Sequence, residues 1–325
     1  MSSRWVRGLV WSGAVLLGMA AVNAEVARRV DPLDPAGPLS GDTDYYQWSL
    51  GRVSYNVKGQ GYPVVLVHGL GIGADRFEWR RVFDRLGEMC RVYAYDQLGF
   101  GLSDRPDVTY QPELYVRLLR DFLRDIVHGA ATVVASGLAG AHAVVAASLY
   151  PTLFERLVLL HPTGARGQLY SLKWERRLVH TVLRSPVVGE LLVNLLTSRS
   201  SIRERLYEHW RSMSGLELEE MVEACYASSH QPGARHAIAA CLTGFLDVDV
   251  RRHFASLSLP TVVVWGGLTL PGPLDGACFS QDLNPRSRTT VFEGAGPDLA
   301  NARPDELVML IKNVLQEGAR HPQHD

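Results

Sequence analysis

The chain has 325 residues, 46% of them hydrophobic and 21% charged, enough apolar material for one large core with an insertion or for two small domains. Its 33 basic and 34 acidic residues leave a formal net charge of −1, so no global field draws in nucleic acid or acidic partners. The four cysteines, Cys90, Cys225, Cys241 and Cys278, are scattered with no CxxC pair, which argues against a zinc site or a disulfide framework.

Arg4 and Arg7 precede an uncharged apolar run over 8–24, and Val22-Asn23-Ala24 offers a small-residue cleavage site. Segment 1–24 is therefore expected to be a membrane anchor or a signal peptide. The corresponding location is the membrane, held by the N-terminus, or outside the cell after cleavage. Arg28 and Arg29 flank the far end, so orientation stays open. Segment 25–44, rich in Pro, Gly and Asp towards its end, reads as a linker.

Strands are expected at 45–50 and 52–57, separated by Gly51. A fully apolar strand at 63–67 ends in His68-Gly69-Leu70-Gly71. Helical periodicity follows over 77–86. The strand at 91–95 ends at Asp96 and opens the Gly-rich loop 98–106. An amphipathic helix is expected over 114–127. The stretch 132–136 is short and β-favouring, and an Ala-rich helix runs from 138 to 149. A strand at 157–160 ends in His161-Pro162-Thr163-Gly164. From 166 to 254 no strand is convincing, and helices are expected at 174–183, 187–196, 202–213 and 216–227. Strands at 260–266 and 288–292 and a helix at 304–316, with Pro at its first turn, complete the chain. Strands alternating with helices imply an α/β class with a mostly parallel sheet.

The turn at 135–140 organises the rest. It is built from small residues, Ala135, Gly137, Ala139 and Gly140. A sharp strand-to-helix turn leaves little room two positions either side of its apex. With Ser136 at the apex those positions are Val134 and Leu138; with Gly137 they are Ala135 and Ala139. Sterics therefore place Gly137 at the apex, where a strained backbone costs glycine least. Strand alternation is expected to turn Ser136 away from the apex direction.

Three motifs together, HGLG after one strand, YDQLGFGLSDRP after the next and the small-residue elbow about thirty residues later, resemble the α/β-hydrolase superfamily. The resemblance is to its esterase, epoxide-hydrolase and haloperoxidase-like branch, and it covers most of 47–316 apart from a poorly matched middle. It implies an eight-stranded, mostly parallel sheet flanked by helices. The core would be 45–164 and 255–318, with a helical cap at 165–254 and a tail at 319–325. It also implies an order of nucleophile, acid and histidine along the chain. Those positions fall on Gly137, on Thr269 at the end of Trp265-Gly266-Gly267-Leu268-Thr269, and on Pro297 after Gly294-Ala295-Gly296. No histidine lies between Phe254 and Arg320 to replace the last. The implied oxyanion donors, the backbone N–H groups of Leu70 and Leu138, survive any side-chain change.

The expected function is that of a non-catalytic hydrolase-fold protein binding a small apolar ligand or a partner under its cap. The alternative is an active hydrolase or lyase with unconventional groups and a retained oxyanion hole. Candidate ligand contacts are His68, Gly69, Asp96, His161, Tyr170, Trp174 and Trp210. Asp96 is also suited to anchoring its loop, and His142 to a satisfied place in the core. No cofactor, metal or nucleic acid is expected; the membrane is expected as a partner of the N-terminal segment.

Overall fold

The computed structural model describes residues 3–163, 174–209, 215–268 and 273–320. In chain order the first half comprises α1 (Ser3–Arg28), β1 (Thr43–Trp48), β2 (Gly51–Lys58), β3 (Pro63–Val67), α2 (Phe83–Gly87), β4 (Arg91–Tyr95), α3 (Pro112–Phe122), β5 (Ala131–Ser136), α4 (Gly137–Leu149) and β6 (Phe154–Leu160). Helices α5 (Trp174–Arg184), α6 (Val188–Leu196), α7 (Arg199–His209), α8 (Gly215–Ser229) and α9 (Ala234–Leu242) follow without an intervening described strand. Then come α10 (Arg251–Ser256), β7 (Thr261–Gly266), α11 (Pro273–Cys278), β8 (Ser287–Phe292), α12 (Leu299–Ala302) and α13 (Pro304–Arg320).

Among the described residues eight strands form one sheet in the order β1-β2-β4-β3-β5-β6-β7-β8. The pairs β1–β2 and β2–β4 are antiparallel, and the rest are parallel. The central strands are unbroken apolar or β-branched runs because both faces are covered. β5 is buried at every position. One face packs against α3, α4 and α10 through Leu118, Phe122, Val144 and Phe254; the other packs against α2, α12 and α13 through Phe83, Leu86, Leu299 and Ile311. Because β3, β5, β6, β7 and β8 run the same way, the loops that follow them emerge along one edge. β3 lies beside β5 with Val67 opposite Ala135, and β6 lies on the other side with Leu160 opposite Ser136.

The helices α5 to α9 stand between β6 and β7, where a cap was expected. Their apolar contacts are local, as in Leu183, Val193, Ile238 and Ala239, reach the core loop through Ile72 and Phe77, or join the main core through Ala237 and Ala240 of α9. α9 was not anticipated; its Ala-rich turns give little periodic contrast.

Two expectations change. The stretch 77–86 is not one helix but a tight turn at Arg76–Trp79 followed by the short α2. The N-terminal helix does not stop at 24 but continues to Arg28, and its end is seated on the insertion. The Asn23 side-chain amide donates to Val187 O at 2.9 Å and accepts from Asn194 Nδ2 at 3.1 Å. Among the described residues no single helix is long and apolar enough to cross a membrane.

Candidate functional site

Ser136 ends β5 in an extended conformation, and Gly137 begins α4 at φ +53°. This positive φ is the strained apex that the small-residue pattern implied, and it disfavours any residue with a Cβ. Space is not the obstacle. A Cβ built on Gly137 would meet nothing closer than Gly69 Cα and Thr163 Oγ1, each at 4.0 Å. Gly140, one turn on, is tighter, with a built Cβ 3.3 Å from the Pro162 ring.

A cavity of about 510 Å³ opens over this elbow. Its floor includes Gly69, Leu70, Ser136, Gly137, Leu138, His161 and Pro297; Ile202, Leu206, Met221, Cys225 and Leu242 of α7, α8 and α9 form its roof. That volume is typical of a small-molecule site. Leu138 sits in the first turn of α4, where an N–H has no carbonyl one turn earlier to bond.

Three carboxylates also line the cavity, and no motif drew attention to them: Asp75, Glu78 and Asp298. Glu78 Oε2 accepts the Gly69 N–H at 2.9 Å, and the Ser136 hydroxyl also donates to this carboxylate. Glu78 keeps some accessible surface because it faces the cavity, but protein surrounds it. Burial, and then repulsion from Asp298, push its pKa up to about 7. Asp298 accepts from Asn301 Nδ2 at 2.8 and 3.0 Å; burial pushes it up to about 6. Asp75 caps the turn at Arg76–Trp79 by accepting the Phe77 N–H at 2.9 Å, and burial followed by the charge of Asp96 raises it to about 7. Ser136 faces this cavity, contrary to the alternation expectation. Alternation holds only within the strand, and the backbone turns sharply at the next residue.

A family model described as alpha/beta hydrolase fold matches residues 62–300. The chain belongs to the α/β-hydrolase fold family. A 2-hydroxymuconate semialdehyde hydrolase of Pseudomonas sp. strain CF600 is 33% identical over 255 residues, 75% of this chain and 83% of that one. An uncharacterized protein of Mycobacterium tuberculosis is 25% identical over 272 residues, 81% of this chain and 78% of that one. Among solved structures, a serine hydrolase involved in carbazole degradation superposes with a TM-score of 0.68 at 21% identity, covering 84% of this chain and 98% of that one. At that identity the likeness shows the fold alone.

In this α/β-hydrolase chain the candidate contacts separate into two groups. Gly69, Leu70, Leu138, His161 and Pro297 line the cavity with Gly137. His161 takes a left-handed backbone at φ +44°, and its ring packs edge-on to Trp265. His68, Asp96 and Trp174 do not line it. His68 is fully buried, its Nε2 accepting the Gln97 N–H at 2.9 Å, which leaves Nδ1–H to donate to Gly69 O at 2.7 Å. It ties two loops together and has no free nitrogen for a ligand. Asp96 is a buried anchor: it pairs with the Arg76 guanidinium at 2.5 Å and accepts the N–H groups of Arg76 and Leu102. Gly101 must be glycine, because a Cβ there would lie 2.2 Å from the Asp96 carboxyl carbon. Trp174 is 71% exposed at the start of α5. Thr269, Tyr170 and Trp210 lie outside the described residues. His142 is buried as expected, its Nε2 2.8 Å from Leu246 O and its ring stacked on Tyr115, but it is only half satisfied, because its Nδ1 has no hydrogen-bond partner. Among the described residues no group of three His, Cys, Asp or Glu side chains is placed to hold a metal ion.

The cavity carboxylates were absent from the expectations because no spacing announces them. Glu78 belongs to a turn that read as part of a helix, Asp75 caps that turn from just before the expected helix, and Asp298 followed the residue being tested for a histidine.

Proposed function

We propose that this chain binds a small, largely apolar ligand in the cavity beneath α7, α8 and α9 and does not turn it over through a serine–histidine–acid triad. The observation that carries the reading is Gly137 at the elbow apex, where acyl transfer by this family needs a nucleophilic side chain. Pro297 in place of a base supports it, as does Thr269 in the sequence at the acid position. Glu78 adds a further argument. Its carboxylate sits on the Gly69 N–H, beside the Leu70 and Leu138 groups that would serve as oxyanion donors. A developing oxyanion there would meet a carboxylate instead of an unopposed donor set.

One contact favours a second reading, hydrolysis by an unconventional pair. The Ser136 hydroxyl rests on Glu78, whose pKa near 7 suits a general base. Purified protein assayed with short-chain p-nitrophenyl esters and a serine-reactive fluorophosphonate separates the two. Under the binding reading, labelling is absent and Ser136→Ala leaves the rate at background. Saturable turnover lost in Ser136→Ala would replace it with the second reading. The basic–apolar N-terminal pattern supports a membrane-tethered or exported protein, which cell fractionation of the full chain would check.

A further inference from the structure

We propose that the guest of this cavity carries a protonated amine on an apolar body, with the amine seated between Glu78 and Asp298. This rests on reading the cavity as a binding site and adds the chemical class of what it holds.

The floor of the cavity presents acceptors whose local donors are already committed. The Gly69 N–H and the Ser136 hydroxyl are directed to Glu78, and the Asn301 amide N–H groups to Asp298 and to the Glu78 carbonyl. A carboxylate has about four lone-pair sites, so both acids keep capacity for a guest. Asn301, a lining residue only 3% exposed, has its Oδ1 buried with no hydrogen-bond partner. Such an orphaned acceptor is costly unless a donor arrives. An ammonium group brings three donors and no acceptor, the complement of this wall. The opposite wall is aliphatic and sulfur-bearing: Ile202, Leu206, Met221 and Cys225. A carboxylate guest would instead face Asp75, Glu78 and Asp298.

The cationic groups nearby do not cancel this. Arg205 of α7 is the one guanidinium among the described lining residues, and His161 the one imidazole. Arg80 and Arg81 act on Asp298 from outside the lining, and Asp75 adds its own repulsion to Glu78. Burial raises both acids, and the charge of Asp298 raises Glu78 further, so an empty cavity disfavours the ionised form of each. A cation would draw protons off them, and amine binding is expected to strengthen as pH rises from about 5.5 to about 8.

The test is calorimetric titration of the full chain with benzylamine, benzyl alcohol and benzoate, at both pH values. At about pH 8, benzylamine is expected to bind about tenfold or more tighter than either of the other two, with a smaller margin at about pH 5.5. Glu78→Gln and Asp298→Asn should each reduce the margin about fivefold or more, with benzyl alcohol binding weakened less than benzylamine binding. Two variants guard against one misfolding. The proposal is overturned if benzylamine fails to bind, if benzoate matches it, or if both variants keep the preference. Binding of benzyl alcohol with no amine preference would sink the amine alone and leave the binding role standing. Robust ester turnover would sink the non-catalytic reading while leaving the amine preference to be judged by the titration.

Discussion

Gly137 and Glu78 set the chemistry at the level of single side chains. Gly137→Ser has room for its Cβ but must keep a positive φ, at a cost of about 1–2 kcal/mol. We expect a folded variant with a slightly lowered melting temperature and no esterase activity, since Pro297 supplies no base. Robust turnover by this variant would show the base assignment to be mistaken. Glu78 makes a pH prediction. Its folded pKa, about 7, lies above its ordinary carboxylate value, so the folded state holds the proton more tightly. Its contribution to stability is fully present below about pH 4.5 and is lost as pH rises through about 7. Glu78→Gln removes that loss while still accepting the Gly69 N–H. Its stability relative to the natural chain should therefore improve by about 1–3 kcal/mol between about pH 5 and 8, read as melting curves across pH. A constant difference would refute the assignment. Gly137 was legible in the sequence because steric bulk two residues away discriminates between registers. Glu78 was not, because its role comes from a neighbour nine residues earlier, across a turn that periodicity mistook for a helix.

At the level of elements, the turn at Arg76–Trp79 is held to the end of β4 by the Arg76–Asp96 pair. Both side chains are almost wholly buried, and Ser54 Oγ accepts from the guanidinium at 2.9 Å. Removing one member leaves an uncompensated buried charge, so Asp96→Asn is expected to cost about 3–5 kcal/mol, measured by urea unfolding. Because Asp96 does not line the cavity, ligand affinity in the folded fraction should be unchanged; a large affinity change would return Asp96 to the site. Most strands were legible to within a residue, since unbroken apolar runs bounded by glycine or proline have few alternatives; the polar-mixed ends of β1 and β6 were not, β1 lying two residues earlier than read and β6 starting three earlier. The insertion was legible only as helical. Its roof residues, Ile202, Leu206, Met221 and Cys225, recur four residues apart and look like any packing stripe. The aromatic residues that attracted attention there proved exposed, as with Trp174, or lie outside the described residues. The arginines of α7 mostly staple it to α8: Arg199 pairs with Glu223 and Arg203 with Glu219, each through two hydrogen bonds.

On the scale of the whole molecule, the family frame positions everything else. Parallel strands bring the HG loop, the elbow, His161 and Pro297 to one edge, and the inserted helices close over them. The same frame also serves the Pseudomonas hydrolase that is a third identical, so what this chain does turns on the few side chains lining the cavity. Asn23→Ala should loosen α1 from α6 without disturbing the sheet. Amide hydrogen exchange is expected to accelerate in α1 and α6 and stay unchanged in β3 to β7. Equal protection in both helices would mean that the Asn23 clasp contributes nothing.

The clasp residue sits inside the Val22-Asn23-Ala24 pattern. A peptidase cutting after Ala24 would carry Asn23 away with the released peptide; the Val187 carbonyl would keep only the Leu191 N–H, and the Asn194 amide would lose the acceptor it has in Asn23. The shortened protein would then hold α6 less firmly at its two contacts with α1, with faster amide exchange there.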